Sequence, residues 1–483
     1  MNKLKKEVVK GFKWTLFNQL FQQAFGFIAG IILARLLLPE DFGLLGLVTV
    51  FIGFSTILVD FGFSSAIIHK KDLTLEDLST IYWTNIIISI FLTILFFIGS
   101  YQIANFYGDH NLILITKVLS ISFIISSIST MHGTLFVRNL DFKVVSLSSI
   151  LSKIISSVMS VILALNNYGV WSLVIGTILG QIIATFFLIL NSTWKPKFTF
   201  SFLSLKKFIR YSSYLTAESS TNYWARNFDN LIIGKMLGEF SLGIYSRAYN
   251  LMLLPISSIV NALRRVMFPA LSRIQEDKEK SASVFFNLTK TIAFFTFPLM
   301  FWISAVSEPF IIGIYGNKWI AVIPILRILA ILGAIQSINT LNGIIFNSQG
   351  KTDIAFKITI ITTVILLPGF YLGIKMNGII GLTIIYFIIS TTTALVSHNI
   401  ALHLIATSIL NQFFNLKNIF LISGAMSILV FATYQAILIN FHPILSLLIL
   451  LLLGIGSYLI FYYILFRLEL FQILKNVKLL IDT

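Results

Sequence analysis

The sequence predicts an all-α integral membrane protein of about fourteen transmembrane helices, and three observations carry that expectation. Hydrophobic types make up 57% of the 483 residues and charged types only 11%, where a soluble domain carries roughly 25% charged residues. Apolar runs long enough to cross a hydrocarbon core, about 20 residues each, recur along nearly the whole chain, and mean hydropathy is +0.91. Lys and Arg concentrate in alternate loops, as they do when successive spans cross in opposite directions.

The runs lie at 14–38, 43–66, 79–101, 112–135, 144–165, 169–190, 208–233, 243–267, 284–306, 319–346, 354–374, 378–402, 416–439 and 444–466. The first follows a basic flank of Lys3, Lys5, Lys6, Lys10 and Lys13. It is too long for a signal-peptide core and no small-x-small cleavage site follows, so it is expected to stay as a span. Spans seven and ten are the least apolar. The longest polar stretches, 191–210 and 264–283, leave no room for a soluble catalytic domain.

With the N-terminus in the cytoplasm, 25 of the 35 Lys and Arg fall in internal segments and four in external ones. Both termini are therefore expected to be cytoplasmic. The net charge of +16 is mostly an anchor to anionic lipid head groups, and a nucleic-acid partner is not expected. There is no cysteine, which excludes disulfides, thiolate nucleophiles and Cys-based metal sites.

An internal repeat is visible at an offset of 200. ARLLLPEDFGLL from Ala34 matches GKMLGEFSLGIY from Gly234, aligning Arg35 with Lys235 and Gly43 with Gly243. GVWSL from Gly169 resembles GIIGL from Gly378, and LDFK at 140–143 resembles IAFK at 354–357. An offset of six spans makes the halves parallel, a known transporter plan with the substrate site between the halves. The expected divisions are residues 1–200, residues 201–403, and an appended helix pair with a tail at 404–483.

Charges inside spans are costly and face a cavity or a partner. Here they are Lys117, Lys153, Glu218, Arg226, Asp229, Arg247, Lys290 and Arg327. Glu218, Asn222, Arg226, Asp229 and Asn230 share one helix face in span seven. Asn18, Gln22, Gly26 and Gly30 repeat that stripe without charge in span one. Arg226 is spaced either to pair with Asp229 or to join a set of unpaired cations lining a cavity for an anion. Arg247, Arg327, Lys153 and Lys290 fit the second reading, because no acidic residue lies near them in sequence. Lys117 sits near an outer helix end, where a lysine snorkels to the interface. Pro255, Pro298, Pro324 and Pro368 fall in spans eight to eleven, where proline kinks helices.

Catalytic motifs such as HExxH, GxSxG and GxxxxGK[ST] are missing, so an enzyme is not expected. No cofactor is expected either. His398 and His403 lie five residues apart, poor spacing for a metal, and read as structural.

The ARLLLPEDFG turn at 34–43, the DFGFSSAI run at 60–67 and the ARNFDNLIIGKMLGEFSLGIYSRAY block at 225–249 resemble the bacterial polysaccharide-transport flippases of the Wzx type. These belong to the multidrug/oligosaccharidyl-lipid/polysaccharide exporter superfamily, and the colanic-acid branch is the most similar. The resemblance covers nearly the whole chain. It implies two six-helix lobes around a central cavity, plus an extra helix pair, and alternating access. The implied substrate is an undecaprenyl-diphosphate-linked oligosaccharide repeat unit. Its diphosphate would meet Arg226, Arg247, Lys290, Arg327 and Lys153, and Asp229 or Glu218 would carry a coupling ion, proton or sodium. Membrane lipids and polysaccharide polymerase machinery are the implied partners. The alternatives are a multidrug exporter, a peptidoglycan-precursor flippase, and a membrane polysaccharide polymerase. The net basic interior disfavours the first, the 225–249 block the second, and the short external loops the third.

Overall fold

The computed structural model describes residues 2–482 and, within them, the side chains of 7, 9–255, 271–471 and 473. Every element among them is helical: α1 (Asn2–Leu36), α2 (Pro39–Asp60), α3 (Phe63–His69), α4 (Leu75–Tyr107), α5 (Asn111–Arg138), α6 (Phe142–Leu165), α7 (Val170–Asn191), α8 (Phe202–Arg273), α9 (Lys278–Ala305), α10 (Ser307–Phe310), α11 (Val322–Asn339), α12 (Asn342–Ser348), α13 (Thr352–Leu404), α14 (Ile409–Thr433) and α15 (Pro443–Asp482). Single π-helical turns follow α10 at Ile311–Tyr315 and α14 at Tyr434–Leu438.

Among the described residues, eleven helical stretches are long and apolar enough to cross a membrane. Two of the helices, α13 and α8, each carry two predicted spans on either side of a kink, and α8 is not among the eleven. Spans eleven and twelve lie on either side of a kink in α13 at Asn377 and Gly378, whose dihedrals are not helical. Spans seven and eight both lie in α8, interrupted at Gly238 with φ 79°. Conversely, span two divides into α2 and α3 at Phe61 and Gly62, whose φ values of 46° and 70° end a helix. Span ten divides into α11 and α12.

Local signals set several helix ends. Pro39 opens α2 where its missing N–H costs nothing. Thr74 and Asp77 form a reciprocal capping box at the start of α4: Asp77 N–H donates to Thr74 Oγ1 at 3.0 Å and Thr74 N–H to Asp77 Oδ2 at 3.2 Å. Lys207 then pairs with the buried Asp77 at 3.2 Å. Gly108, with φ 82°, closes the same helix.

The chain divides into two compact units, Met1–Gly243 and Ile244–Thr483. In the first, α6 presents Ser152, Ser156 and Ser160 to Gly176 and Gly180 of α7. A Cβ on Gly176 would lie 2.0 Å from Ser160 Oγ, and one on Gly180 2.8 Å from the Ser152 carbonyl oxygen. Small residues at this spacing let helix backbones approach closely in a bilayer, where van der Waals contact drives association. Residues 39–62 and α8 run antiparallel at similar range. Added Cβ atoms on Gly62, Gly53 and Gly43 would meet, respectively, the Ser212 carbonyl oxygen at 2.9 Å, Tyr223 Oη at 2.5 Å and the Glu239 carbonyl oxygen at 1.8 Å. The second unit is centred on α9, α11 and α14, with a buried core that includes Phe285, Ile292, Met300, Leu326 and Leu329.

The repeat leaves geometric marks. Gly43 and Gly243, aligned at an offset of 200, are in mutual contact: a Cβ on Gly243 would lie 2.0 Å from the Pro39 carbonyl oxygen. Gly169 and Gly378 share one backbone conformation, φ 53° with ψ −132° and −136°. A positive-φ residue precedes α6 and α13 by two positions, Leu140 at 60° and Gly350 at 67°. The geometric partner of LDFK is thus one helical turn before IAFK, which lies inside α13.

Gly43→Ala is expected to destabilise the detergent-solubilised protein by about 1–3 kcal/mol, since its Cβ meets rigid backbone. Gly424→Ala, where nothing lies within 4 Å, should leave thermal unfolding unchanged or slightly raise it. Equal melting temperatures for the two variants would contradict the contact.

Candidate functional site

In the first unit the stripe on α1 faces α6. Gln22 Nε2 donates to the Ser149 carbonyl at 2.7 Å. Lys153, one turn further along α6, crosses the bare Cα of Gly26, where an added Cβ would sit 3.1 Å from its Cε. Asn18 Oδ1, one turn before Gln22, is buried and has no hydrogen-bond partner. The serines at 152, 156 and 160 take the α7 face of α6, which leaves Ser149 and Lys153 for α1. Lys153 is half-buried and no carboxylate pairs with it among the described residues.

The first half of α8 carries the charged stripe. Tyr223 Oη donates to the Val50 carbonyl at 2.7 Å, and Trp224 packs on Phe54 at 5.2 Å between ring centroids. These contacts fix the helix rotation on α2. Arg226, one turn on, is exposed and has no hydrogen-bond or ion-pair partner among the described residues. The structure therefore sets aside an Arg226–Asp229 ion pair. Asp229 is buried, and its Oδ1 accepts the backbone N–H of Asn230 at 2.8 Å. Glu218 and Asn222 are exposed on the same helix and Asn230 is half-buried.

The second unit corrects the expectation of unpaired cations. Lys290 on α9 pairs with Glu469 on α15 at 2.7 Å, and Asn418 Nδ2 donates to the other Glu469 oxygen at 2.7 Å. Arg327 on α11 pairs with Glu308 on α10 at 3.2 Å and lies over Phe431, 5.8 Å from the ring centroid. The guanidinium of Arg247 rests over Tyr315 and Trp319 at 5.4 and 5.2 Å. The carboxylates that neutralise Lys290 and Arg327 lie 179 and 19 positions away in sequence, so inspection of sequence neighbours could not find them. Glu308 and Glu469 fall just past the predicted ends of spans nine and fourteen, and continuing those helices by one turn would have exposed both.

No group of three or more metal-ligating side chains occurs among the described residues. An apolar cavity of about 490 Å³ lies between α9, α14 and α15, lined by Phe294, Pro298, Trp302, Met426, Gly454 and Tyr458 among others.

Breaking the mostly buried Lys290–Glu469 pair strands a charge. Glu469→Leu is expected to lower stability by about 3 kcal/mol, read as a fall in melting temperature. The double variant Lys290→Leu/Glu469→Leu should regain most of it. A double variant no more stable than the single would contradict the pairing. The Arg327–Glu308 pair, more than a third exposed on its arginine side, should contribute much less.

Comparisons with known proteins fit this architecture. The chain is 28% identical over 435 residues to the teichuronic acid biosynthesis protein TuaB of Bacillus subtilis (strain 168), covering 89% of this chain and 90% of that one. It is 27% identical over 404 residues to the lipopolysaccharide biosynthesis protein WzxC of Escherichia coli (strain K12), covering 82% and 81%. The fold matches the lipid II flippase MurJ in its inward closed conformation with a TM-score of 0.77 at 19% identity, over 95% of this chain and all of that one. A family model described as polysaccharide biosynthesis protein matches residues 32–324. With more than half of its length inside that match, the chain belongs to the polysaccharide biosynthesis protein family.

Proposed function

We propose that this protein is a flippase for an undecaprenyl-diphosphate-linked oligosaccharide repeat unit, acting by alternating access in the bacterial inner membrane with both termini cytoplasmic. The observation that carries this reading is that Lys153 on α6 and Arg226 on α8, two cations on predicted spans, have no hydrogen-bond or ion-pair partner among the described residues. A cation without a counter-ion at membrane depth is expensive unless it meets water or an anionic substrate. A diphosphate and a polar glycan cannot cross about 30 Å of hydrocarbon unaided, and cations with hydrogen-bonding neighbours substitute for their hydration. The guanidinium fits phosphate oxygens two at a time. Asn18, Gln22, Asn222 and Asn230 add neutral polar groups suited to sugar hydroxyls.

Arg247, Lys290 and Arg327 remain diphosphate candidates of a second kind, since an arriving diphosphate would have to compete with their present partners. Residues 1–200 and 201–403 would serve as the two lobes, with 404–483 as the added helix pair. The apolar cavity among α9, α14 and α15 is suited to a hydrocarbon chain, which favours a lipid-linked cargo over a small drug. Asp229, the buried carboxylate of the α8 stripe, is the leading candidate for a coupling proton or sodium ion, with Glu218 the second. The exported unit would pass to polysaccharide polymerase machinery.

The test is deletion of the gene in the producing bacterium. Surface polymer should disappear while its lipid-linked precursor accumulates on the inner leaflet. Arg226→Ala and Lys153→Ala should each lower polymer export about 10-fold or more, the worth of a charged hydrogen bond, with normal membrane insertion, and Arg226→Lys should retain part of it. Normal export in the Arg226→Ala/Lys153→Ala double variant would overturn the site. Intact polymer with altered drug sensitivity would favour a multidrug exporter.

A further inference from the structure

A second cavity in the unit Ile244–Thr483, of about 240 Å³, lies between α9, α11, α13 and α14. Its wall is mostly apolar, with Phe297, Leu395, Phe413 and Phe420 among its residues, but two buried polar side chains interrupt it, His398 and Gln412. They are 7% and 3% exposed. His398 Nε2 and Gln412 Oε1 are buried and have no hydrogen-bond partner among the described residues. Buried polar atoms are nearly always paired, so two orphans on one cavity wall call for an explanation.

The surrounding bonds fix the character of both atoms. Asn342 Nδ2 donates to Asn339 Oδ1 at 2.7 Å and to Ser397 Oγ at 3.3 Å, which leaves Asn342 Oδ1 as an acceptor. His398 Nδ1, 2.7 Å from that oxygen, must carry the proton. In the neutral ring Nε2 is then a lone-pair acceptor. Gln412 Nε2 donates to Thr289 Oγ1 at 2.8 Å, so the free Gln412 Oε1 is also an acceptor. Both orphaned atoms are thus acceptors, and a ligand that reaches them brings hydrogen-bond donors.

Two further features specify the ligand. Lys417 also lines the cavity. It is exposed, sits over Phe414 at 5.0 Å, and has no carboxylate partner among the described residues. Depth is set by helix ends: α13 finishes at Leu404 and α14 starts at Ile409. His398 and Gln412 therefore lie within about 9 Å of those ends at 1.5 Å per residue, the level of head groups rather than of the bilayer centre. Lys417 is deeper along α14, and a lysine stem is long enough to return its charge to that level.

We propose that this cavity binds the head group of phosphatidylglycerol from the adjoining leaflet, cytoplasmic in the expected orientation. The phosphate pairs with Lys417, the glycerol hydroxyls donate to His398 Nε2 and Gln412 Oε1, and the acyl chains lie along Phe413, Phe420 and Leu395. A diol is favoured over the ammonium of phosphatidylethanolamine, because a neutral group costs less to desolvate and Lys417 repels a second cation. His398 becomes a ligand-binding group rather than a purely structural one.

The test uses the full chain in detergent, titrated with dioleoylphosphatidylglycerol or dioleoylphosphatidylethanolamine and weighed intact by native mass spectrometry. The wild type should keep at least one phosphatidylglycerol under conditions that strip phosphatidylethanolamine. Gln412→Leu, similar in size but lacking the acceptor, and Lys417→Gln should each weaken that retention about 10-fold. Lys417 is on the surface, so its variant reports even where a change at buried Gln412 prevents insertion. Equal retention by wild type and Lys417→Gln, equal retention of the two lipids, or none by the wild type would overturn the assignment. Because lipid retention rather than export is read, failure here leaves the flippase proposal standing.

Discussion

Among the described residues, the tightest backbone approach is between α2 and α8, where a Cβ on Gly43 would lie 1.8 Å from the Glu239 carbonyl oxygen. Gly62, Gly53 and Gly43 on one side, with Gly234 and Gly243 on the other, leave room for that approach at successive points. A bilayer supplies no hydrophobic force between apolar helices, so their association depends on close van der Waals contact. That contact sets the rotation of α8 through Tyr223 and Trp224. The rotation in turn leaves Arg226 exposed and Asp229 buried. The charge pattern of the candidate site is therefore a consequence of where glycine allows two helices to touch.

The five candidate diphosphate-binding cations separate into two kinds by their surroundings. Lys290 and Arg327 have carboxylates within 3.2 Å and Arg247 has an aromatic shelf, so each is already compensated. Lys153 and Arg226 have no such partner among the described residues, and a fixed charge in that condition needs either water or an anion. This difference makes that pair the first place to look for substrate. The compensated set acts first as structure: Lys290–Glu469 ties α15 to α9, and Arg327–Glu308 ties α11 to the segment after α9.

Buried polar groups in the second unit follow the same economy. Asn342, His398, Ser397 and Asn339 satisfy one another, and Thr289 satisfies Gln412 on one side only. What is left over, two acceptors beside a lone lysine, is chemically specific in a way that a purely apolar groove is not. It also lies near helix ends rather than at membrane mid-depth, which separates lipid docking from cargo transport.

The amino-acid sequence alone determined the class of protein and the position of most spans. Hydropathy and charge act locally along the chain, so a reader of Trp14–Leu38 or Gly169–Leu190 needs no knowledge of neighbours. The two glycines that the offset of 200 aligns, Gly43 and Gly243, were legible too, and both sit where an added Cβ would meet backbone. The tertiary structure alone decided which charges are paired, since Glu469 reaches Lys290 across 179 residues. It also decided that Arg226 does not use Asp229 only three positions away, and that His398 shares a wall with Gln412. Spacing along one helix says which residues share a face, but what that face meets depends on helices brought in from elsewhere in the chain.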